Sequence, residues 1–416
     1  MRFLYSFNTA ASLALASLRA HKLRTFLTLL GVIIGVGSVV LVGAAIEGLG
    51  AYAEQTTAKV FGSDSFQIGQ ILQAGRLSRR ERFEKLRVNK RIRLEDYVYL
   101  KQTTGRDILY SPYRQRSDDI KCGSLTVESS TVIGVAPELE EIRDFMLTDG
   151  RFFTVEEDRT RAAVAVIGED VRASCFPSTS PIGGQIKISG FDFRVVGLQE
   201  KLGSAGVGPA QDLVAFIPST VFNRIYGPDR TIVLFARPRP ESGLSLEEAL
   251  DQARVALRVR FKTKPGVNDN FDTMTPDSIR EFINRILGVI GAAVVPITLI
   301  SLVVGGIVIM NIMLVSVTER TREIGIRKSL GARQSDLMLQ FLLEAIILSL
   351  MGGAIGLGGA WAIAVAATAI SGVTLKVTLP YVALAVGVSS LVGIASGWYP
   401  ASRASKMNPV DALRAE

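Results

Sequence analysis

Histidine is almost missing from this chain: His21 is the single one in 416 residues. One imidazole cannot build a histidine-rich metal site, and a nucleophilic triad that needs a histidine base would have no second candidate. The chain also lacks a Gly-x-x-x-x-Gly-Lys-Ser/Thr phosphate loop, a His-Glu-x-x-His pair and a Cys-x-x-Cys pair. These gaps point away from catalysis by this chain alone and away from a bound metal or cofactor. Cysteine is nearly as scarce, with Cys122 and Cys175 only. Two readings stay open for them: a disulfide in an oxidising compartment, or two unrelated buried thiols.

Charge is missing over long stretches. No charged residue occurs from Ile286 to Val317, and from Leu337 to Leu375 the only one is Glu344. Apolar runs of this length are membrane spans rather than soluble core. Four windows qualify: Thr25–Ile46, Leu287–Val317, Leu337–Thr368 and Leu379–Trp398. The first is longer than a signal-peptide core and reads as an uncleaved anchor. Mean hydropathy is only +0.30, which fits a few spans plus one large soluble domain.

Lysine and arginine near the spans set the expected orientation. Arg2, Arg19, Lys22 and Arg24 precede the first span; Arg320, Arg322, Arg327, Lys328 and Arg333 follow the second; Arg403, Lys406 and Arg414 follow the fourth. Both termini are therefore expected in the cytoplasm, in a multi-pass protein of the inner membrane. Residues 48–285 are then outside, and the short 369–378 loop, with Lys376 alone, is outside too. The formal charge of +8 thus largely serves topology, and no nucleic-acid partner is expected.

The expected layout is an amphipathic helix over 1–24, spans at 25–47, 286–317, 337–368 and 379–399, a cytoplasmic segment at 318–336 and a tail at 400–416. The 286–317 run is roughly 45 Å long as a helix, so a stalk extension is expected, with Pro296 interrupting it. The outside domain reads as α+β. Strand patterns fall at Phe66–Ile68, Ile108–Tyr110, Val132–Val135, Ala162–Ile167, Gln185–Ile188, Phe193–Val196, Leu213–Ile217, Thr231–Ala236 and Phe271–Met274, with Gly190 marking a hairpin. Helices are expected at Arg93–Gln102 and Ser245–Arg260, the latter with Ser245 as N-cap and a stripe of Leu250, Ala253, Val255, Ala256 and Val259. Strand–helix–strand units at both ends of the domain suggest two lobes, one inserted in the other. The basic stretch 76–93 reads as a solvated hairpin, with a patch for an acidic partner or lipid headgroup as the sharper reading.

Polar residues inside the spans are few. Glu344 is a functional candidate by default, or else it pairs with an arginine of the 320–333 segment. Asn311 could bridge spans by hydrogen bonding. Gly31 and Gly35, and Gly352, Gly356 and Ala360, are spaced for close helix approach within the chain or in a dimer. The segment "ERTREIGIRKSLGA", 319–332, reads as a short helix with a Glu323–Arg327 pair, Ile326 and Leu330 on one face and Gly331 as its stop. A loop that only retained positive charge inside would need neither the glutamates nor the helical register. A docking surface for a cytoplasmic protein explains both.

Residues 319–356 resemble the loop-plus-third-span signature of the FtsX/MacB-type permease family of ABC transporters. "YPASRASKMNPVDALRAE" (399–416) is similar to that family's C-terminus, and "LRTFLTLLGVIIGVGSVV" (23–40) to its first span. "GRFFTVEEDRTRAAVAVIGEDV" (150–171) and "PIGGQIKISGFDFRVVGL" (181–198) resemble its extracytoplasmic core domain. The resemblance implies a four-span protomer that forms a homodimer, or pairs with a paralogous permease, and binds cytoplasmic ABC ATPase subunits that hold ATP and Mg. It implies that Glu319, Arg320, Arg322, Glu323, Gly325, Arg327 and Gly331 contact the ATPase. It further implies mechanotransmission, with a periplasmic adaptor and an outer-membrane channel as further partners. MacB-type members carry the ATPase at their own N-terminus; with 24 residues ahead of the first span, a separate ATPase chain is expected here. A regulator of an outside hydrolase or sensor and a lipoprotein-releasing permease are the alternatives. The basic 76–93 stretch matches nothing in the family pattern.

Overall fold

A computed structural model describes residues 22–62, 64–73, 75, 77–202, 212–227, 231–371, 373–409 and 412. Residues 1–21 of the expected amphipathic helix lie outside these, as do Arg76 and Arg414. The chain divides into two compact units, one of residues 1–52 and 284–416, the other of residues 53–283.

The first unit is helical. It draws on α1 (Lys22–Phe61), α9 (Pro276–Glu319), α10 (Thr321–Ser329), α11 (Gln334–Ser371) and α12 (Leu379–Ser405). Four of these, α1, α9, α11 and α12, are long and apolar enough to cross a membrane. Pro296 lies inside α9 and does not end it, contrary to the expected interruption. A membrane helix tolerates this because neighbours and local adjustment re-satisfy the freed carbonyl. Small residues let the helices touch. A Cβ on Gly31 would sit 2.6 Å from the Cα of Gly305 in α9, and one on Gly356 of α11 would sit 2.6 Å from the carbonyl of Ile33 in α1. Gly35 faces Leu302, and Gly352 faces Val32. All four glycines of the spacing motif are thus used between helices of one chain.

Among the described residues, the second unit is built on one sheet of ten strands. They are β1 (Phe66–Gly69), β2 (Ile108–Cys122), β3 (Leu125–Val135), β4 (Leu147–Gly150), β5 (Val164–Ile167), β6 (Gln185–Ile188), β7 (Phe191–Gln199), β8 (Val214–Pro218), β9 (Val233–Pro238) and β10 (Asp272–Met274). Their order is β10-β1-β9-β2-β3-β8-β5-β7-β4, with β6 pairing β2 and β7. Alternation and short apolar runs account for most of them. β5 (Val-Ala-Val-Ile) and β8 (Val-Ala-Phe-Ile-Pro) are buried at every position. The β6–β7 turn places Ser189 and Gly190 both at positive φ, 49° and 86°, which is the geometry a two-residue hairpin prefers. β2 is far longer than the expected Ile108–Tyr110, because its polar second half pairs with β3 as far as Cys122–Leu125.

The helices of this unit are α2 (Arg79–Val88), α3 (Leu94–Thr103), α4 (Leu139–Ile142), α5 (Val155–Arg159), α6 (Glu169–Cys175), α7 (Ser219–Tyr226) and α8 (Leu246–Arg260). The units β1-α3-β2 and β9-α8-β10, from opposite ends of the domain sequence, meet as neighbours in the sheet and share a core that includes Ile68, Leu100, Tyr110, Leu234, Ala253 and Leu257. The apolar stripe of α8 differs from expectation. Ala249, Ala253, Ala256 and Leu257 are buried, while Val255 and Val259 are 59% and 65% exposed. The buried set follows i, i+4, i+7, i+8, and Val255 lies about 200° around the helix from Ala253.

The basic stretch is a helix and not a hairpin. Ser78 caps α2, accepting from the Glu81 N–H at 3.2 Å while the Glu81 carboxylate accepts from the Ser78 N–H at 2.9 Å. This reciprocal box starts a helix that buries none of its residues. Cys122 and Cys175 are joined in a disulfide, with Cα atoms 5.5 Å apart.

Candidate coupling segment

The segment 319–336 begins where α9 stops. Arg320 leaves helical geometry at ψ 17°, and α10 then runs from Thr321 to Ser329. Thr321 steadies the corner by donating from its hydroxyl to the carbonyls of Val317 (3.1 Å) and Thr318 (2.7 Å). At the far end the N–H of Ala332 bonds the carbonyl of Arg327 at 3.1 Å, and Gly331 takes φ 91°, a left-handed position that suits glycine. The corner with α9 is thus held by the Thr321 hydroxyl, and the far end of α10 is closed at Gly331.

Its two faces differ. Ile324 and Gly325 are buried, and Ile324 joins a core with Val317, Leu337, Phe341, Ala401 and Ala404. The resemblance groups Gly325 with the contact residues; it lies on the buried side of α10 beside Ile324. Arg322, Glu323, Ile326, Arg327, Leu330, Gly331 and Arg333 are exposed or half-buried at the surface, as is Glu319. Ile326 is 46% exposed and Leu330 83%. The outer surface thus carries two large apolar side chains among charges of both signs.

Hydrogen bonds orient those charges. Glu323 and Arg327 approach to 3.9 Å across one helical turn, and Arg327 also donates to Gln340 at 3.1 Å. Lys328 donates to the carbonyl of Met407 at 2.5 Å, tying the segment to the end of α12. Sequence reasoning misses that tie, because a contact between positions so far apart leaves no local pattern. Arg320 reaches Glu344 of α11 at 3.5 Å. Glu344 is only 2% exposed, so the pair binds the start of the segment to the bundle. Asn311 is exposed on α9, and among the described residues it has no hydrogen bond to another helix of this chain. Among the described residues, no group of three His, Cys, Asp or Glu side chains is placed to hold a metal ion.

Four membrane-length helices, a large α+β unit and a charged helix after the second of them define a multi-pass membrane protein with a sizeable soluble domain. Residues 25–256 match the MacB-like periplasmic core domain, and residues 296–409 match the FtsX-like permease C-terminal domain. The chain belongs to this MacB/FtsX-like ABC transporter permease family. The Macrolide export ATP-binding/permease protein MacB of Bdellovibrio bacteriovorus is 36% identical over 96% of this chain and 60% of that protein. The protein of the same name from Shewanella sp. (strain W3-18-1) is 36% identical over 98% of this chain and 60% of its own length. The chain therefore spans about three fifths of the curated relatives it matches. The periplasmic region of MacB from Actinobacillus actinomycetemcomitans is similar at 19% identity with a TM-score of 0.42, covering 54% of this chain and 95% of that one.

Proposed function

We propose that this chain is the permease of a MacB-like exporter and that α10 is the surface on which an ABC ATPase docks. The observation that carries this is the two-faced helix: Ile324 packs inward while Ile326 and Leu330 stand exposed between Arg322, Glu323 and Arg327. Exposed large apolar side chains on a helix whose other face is packed cost solvation unless a partner covers them. The mixed charges around them supply register and orientation for that partner.

In this reading both termini and α10 face the cytoplasm, and the disulfide-bearing unit lies outside, where an oxidising compartment keeps Cys122–Cys175 formed. ATP and Mg are held by the ATPase, and this chain catalyses nothing itself. Closure of the ATPases against a permease dimer displaces α10. The Arg320–Glu344 and Lys328–Met407 links pass that displacement to α11 and α12. The outside domain, read as two lobes that change their mutual arrangement, then acts on cargo together with a periplasmic adaptor and an outer-membrane channel. Relatives are named for macrolide export, and export is the activity we assign.

The test is charge reversal at both Arg322 and Glu323. The variant is expected to lose co-purifying ATPase, and with it the stimulation of ATP hydrolysis, while still forming its disulfide. Normal co-purification and stimulation in that variant would sink the docking assignment.

A further inference from the structure

Arg143, at the end of α4, is 5% exposed, yet among the described residues no carboxylate pairs with it and no hydrogen bond reaches its side chain. It is flanked by aromatic rings: its Cζ lies 5.9 Å from the centroid of Phe145 and 5.9 Å from that of Phe235. Burial works against its charge and pushes its pKa down, and the one group that favours the charge is Tyr113. A buried guanidinium without an anion is costly, and ring faces offset only a fraction of that cost. The stretch 203–211, outside the described residues, contains no aspartate or glutamate that could serve.

Arg143 lines a cavity of about 430 Å³ within the second unit. A second orphan lines the same cavity: Gln199, at the end of β7, is 4% exposed and its Oε1 has no partner. Gln55 and Lys59, from the last turns of α1, supply further polar lining, and Phe145, Met146 and Leu202 supply apolar wall. Two acids also line it, and both are engaged: Asp144 with Arg237 at 2.5 Å, and Glu200 with Lys59 at 3.5 Å. The balance is one unmatched cation, an unsatisfied amide and an apolar side, in a space of the size that small ligands occupy.

We propose that this cavity binds a small monocarboxylate with an apolar body, its carboxylate on Arg143 and its body against Phe145, Met146 and Leu202. A dianion such as phosphate fits less well, because Asp144 and Glu200 stand on the wall and only one cation is unmatched. Bound there, the ligand touches both the end of α1 and the β7 edge, so it fastens one to the other. The proposal stands apart from the coupling role of α10 and can fail without it.

The experiment titrates the full purified chain with phenylacetate and with its neutral counterpart phenylacetamide, and with inorganic phosphate as competitor. Phenylacetate is expected to bind roughly tenfold or more tightly than the amide, the size of a charge-assisted hydrogen bond set against a neutral one. Phosphate is expected not to displace it. Arg143→Met should erase the preference while folding at least as well as the parent, because an uncompensated charge is gone. Met146→Asp, at a position 68% exposed, places a fixed carboxylate on the cavity wall and should also abolish phenylacetate binding. Equal affinity for the two probes, no binding of phenylacetate, or a preference that survives in either variant overturns the proposal.

Discussion

Glu157 illustrates how much one side chain does in this fold. It closes the N-terminal box of α5, accepting from the Thr154 N–H at 2.8 Å, and takes a two-pronged hydrogen bond from Arg151, with both N–O distances 2.7 Å. The Arg151 hydrogen bonds, aided by the Thr154 N–H, bring its carboxyl from an ordinary 4.5 down to about 2. A depressed folded-state pKa contributes stability that is complete above the ordinary value and fades as pH falls through the folded one. Glu157→Gln keeps the shape and the cap but loses the charge. At neutral pH the variant is expected to be less stable by roughly 1 kcal/mol, a small figure because Arg151 is half exposed. That deficit should shrink between about pH 4.5 and about pH 2. Thermal melts of parent and variant across this range test it, and a gap that widens with acid would show the pair to be irrelevant. The box is legible in the sequence as Thr-x-x-Glu, whereas the arginine is not, because its role depends on the chain turning back after Gly150.

At the scale of elements, legibility follows locality. The four spans can be read because each needs only composition and length. The N-cap of α8 can be read because Ser245 and Glu248 sit three apart and do bond, at 3.3 Å and 2.8 Å. The length of β2 and the helical state of the 79–88 stretch escape sequence reading for one reason: highly charged segments carry no hydrophobic period, and their structure is set by capping and pairing instead. Glycine spacing in the spans is ambiguous between internal packing and a dimer, and neighbours resolve it. Gly31 touches Gly305, while Gly359 of α11 has nothing within 4 Å. Gly31→Val must push the α1 and α9 backbones apart and is expected to cost about 1–3 kcal/mol, as overpacking of a filled contact does. Gly359→Val fills open space and should leave the melting temperature of the detergent-solubilised chain within about a degree of the parent. Equal melting for the two variants would place the tight contact elsewhere.

For the molecule as a whole, the sequence leaves the two cysteines undecided, because pairing across 53 residues depends on the sheet topology. Cys122 closes β2 at the hairpin to β3, and Cys175 ends α6; β6, pairing with the same end of β2, brings that region under the helix. The bond therefore crosses a core of Ile120, Ile186, Ile188, Phe193 and Val171 rather than a surface loop. Closing a loop of this length removes unfolded-state entropy, and the stabilisation is expected to be about 2–4 kcal/mol. Double replacement Cys122→Ser with Cys175→Ser should lower the stability of residues 53–283 by that amount and leave the helical unit nearly unaffected, since the two units have separate cores. Proteolysis of the full chain distinguishes the cases. Cleavage confined to the domain between the first and second spans is expected on reduction, with α10 as resistant as before. Simultaneous loss of protection in α10 and in the domain would mean that the chain unfolds as one body, against the independence of the two cores.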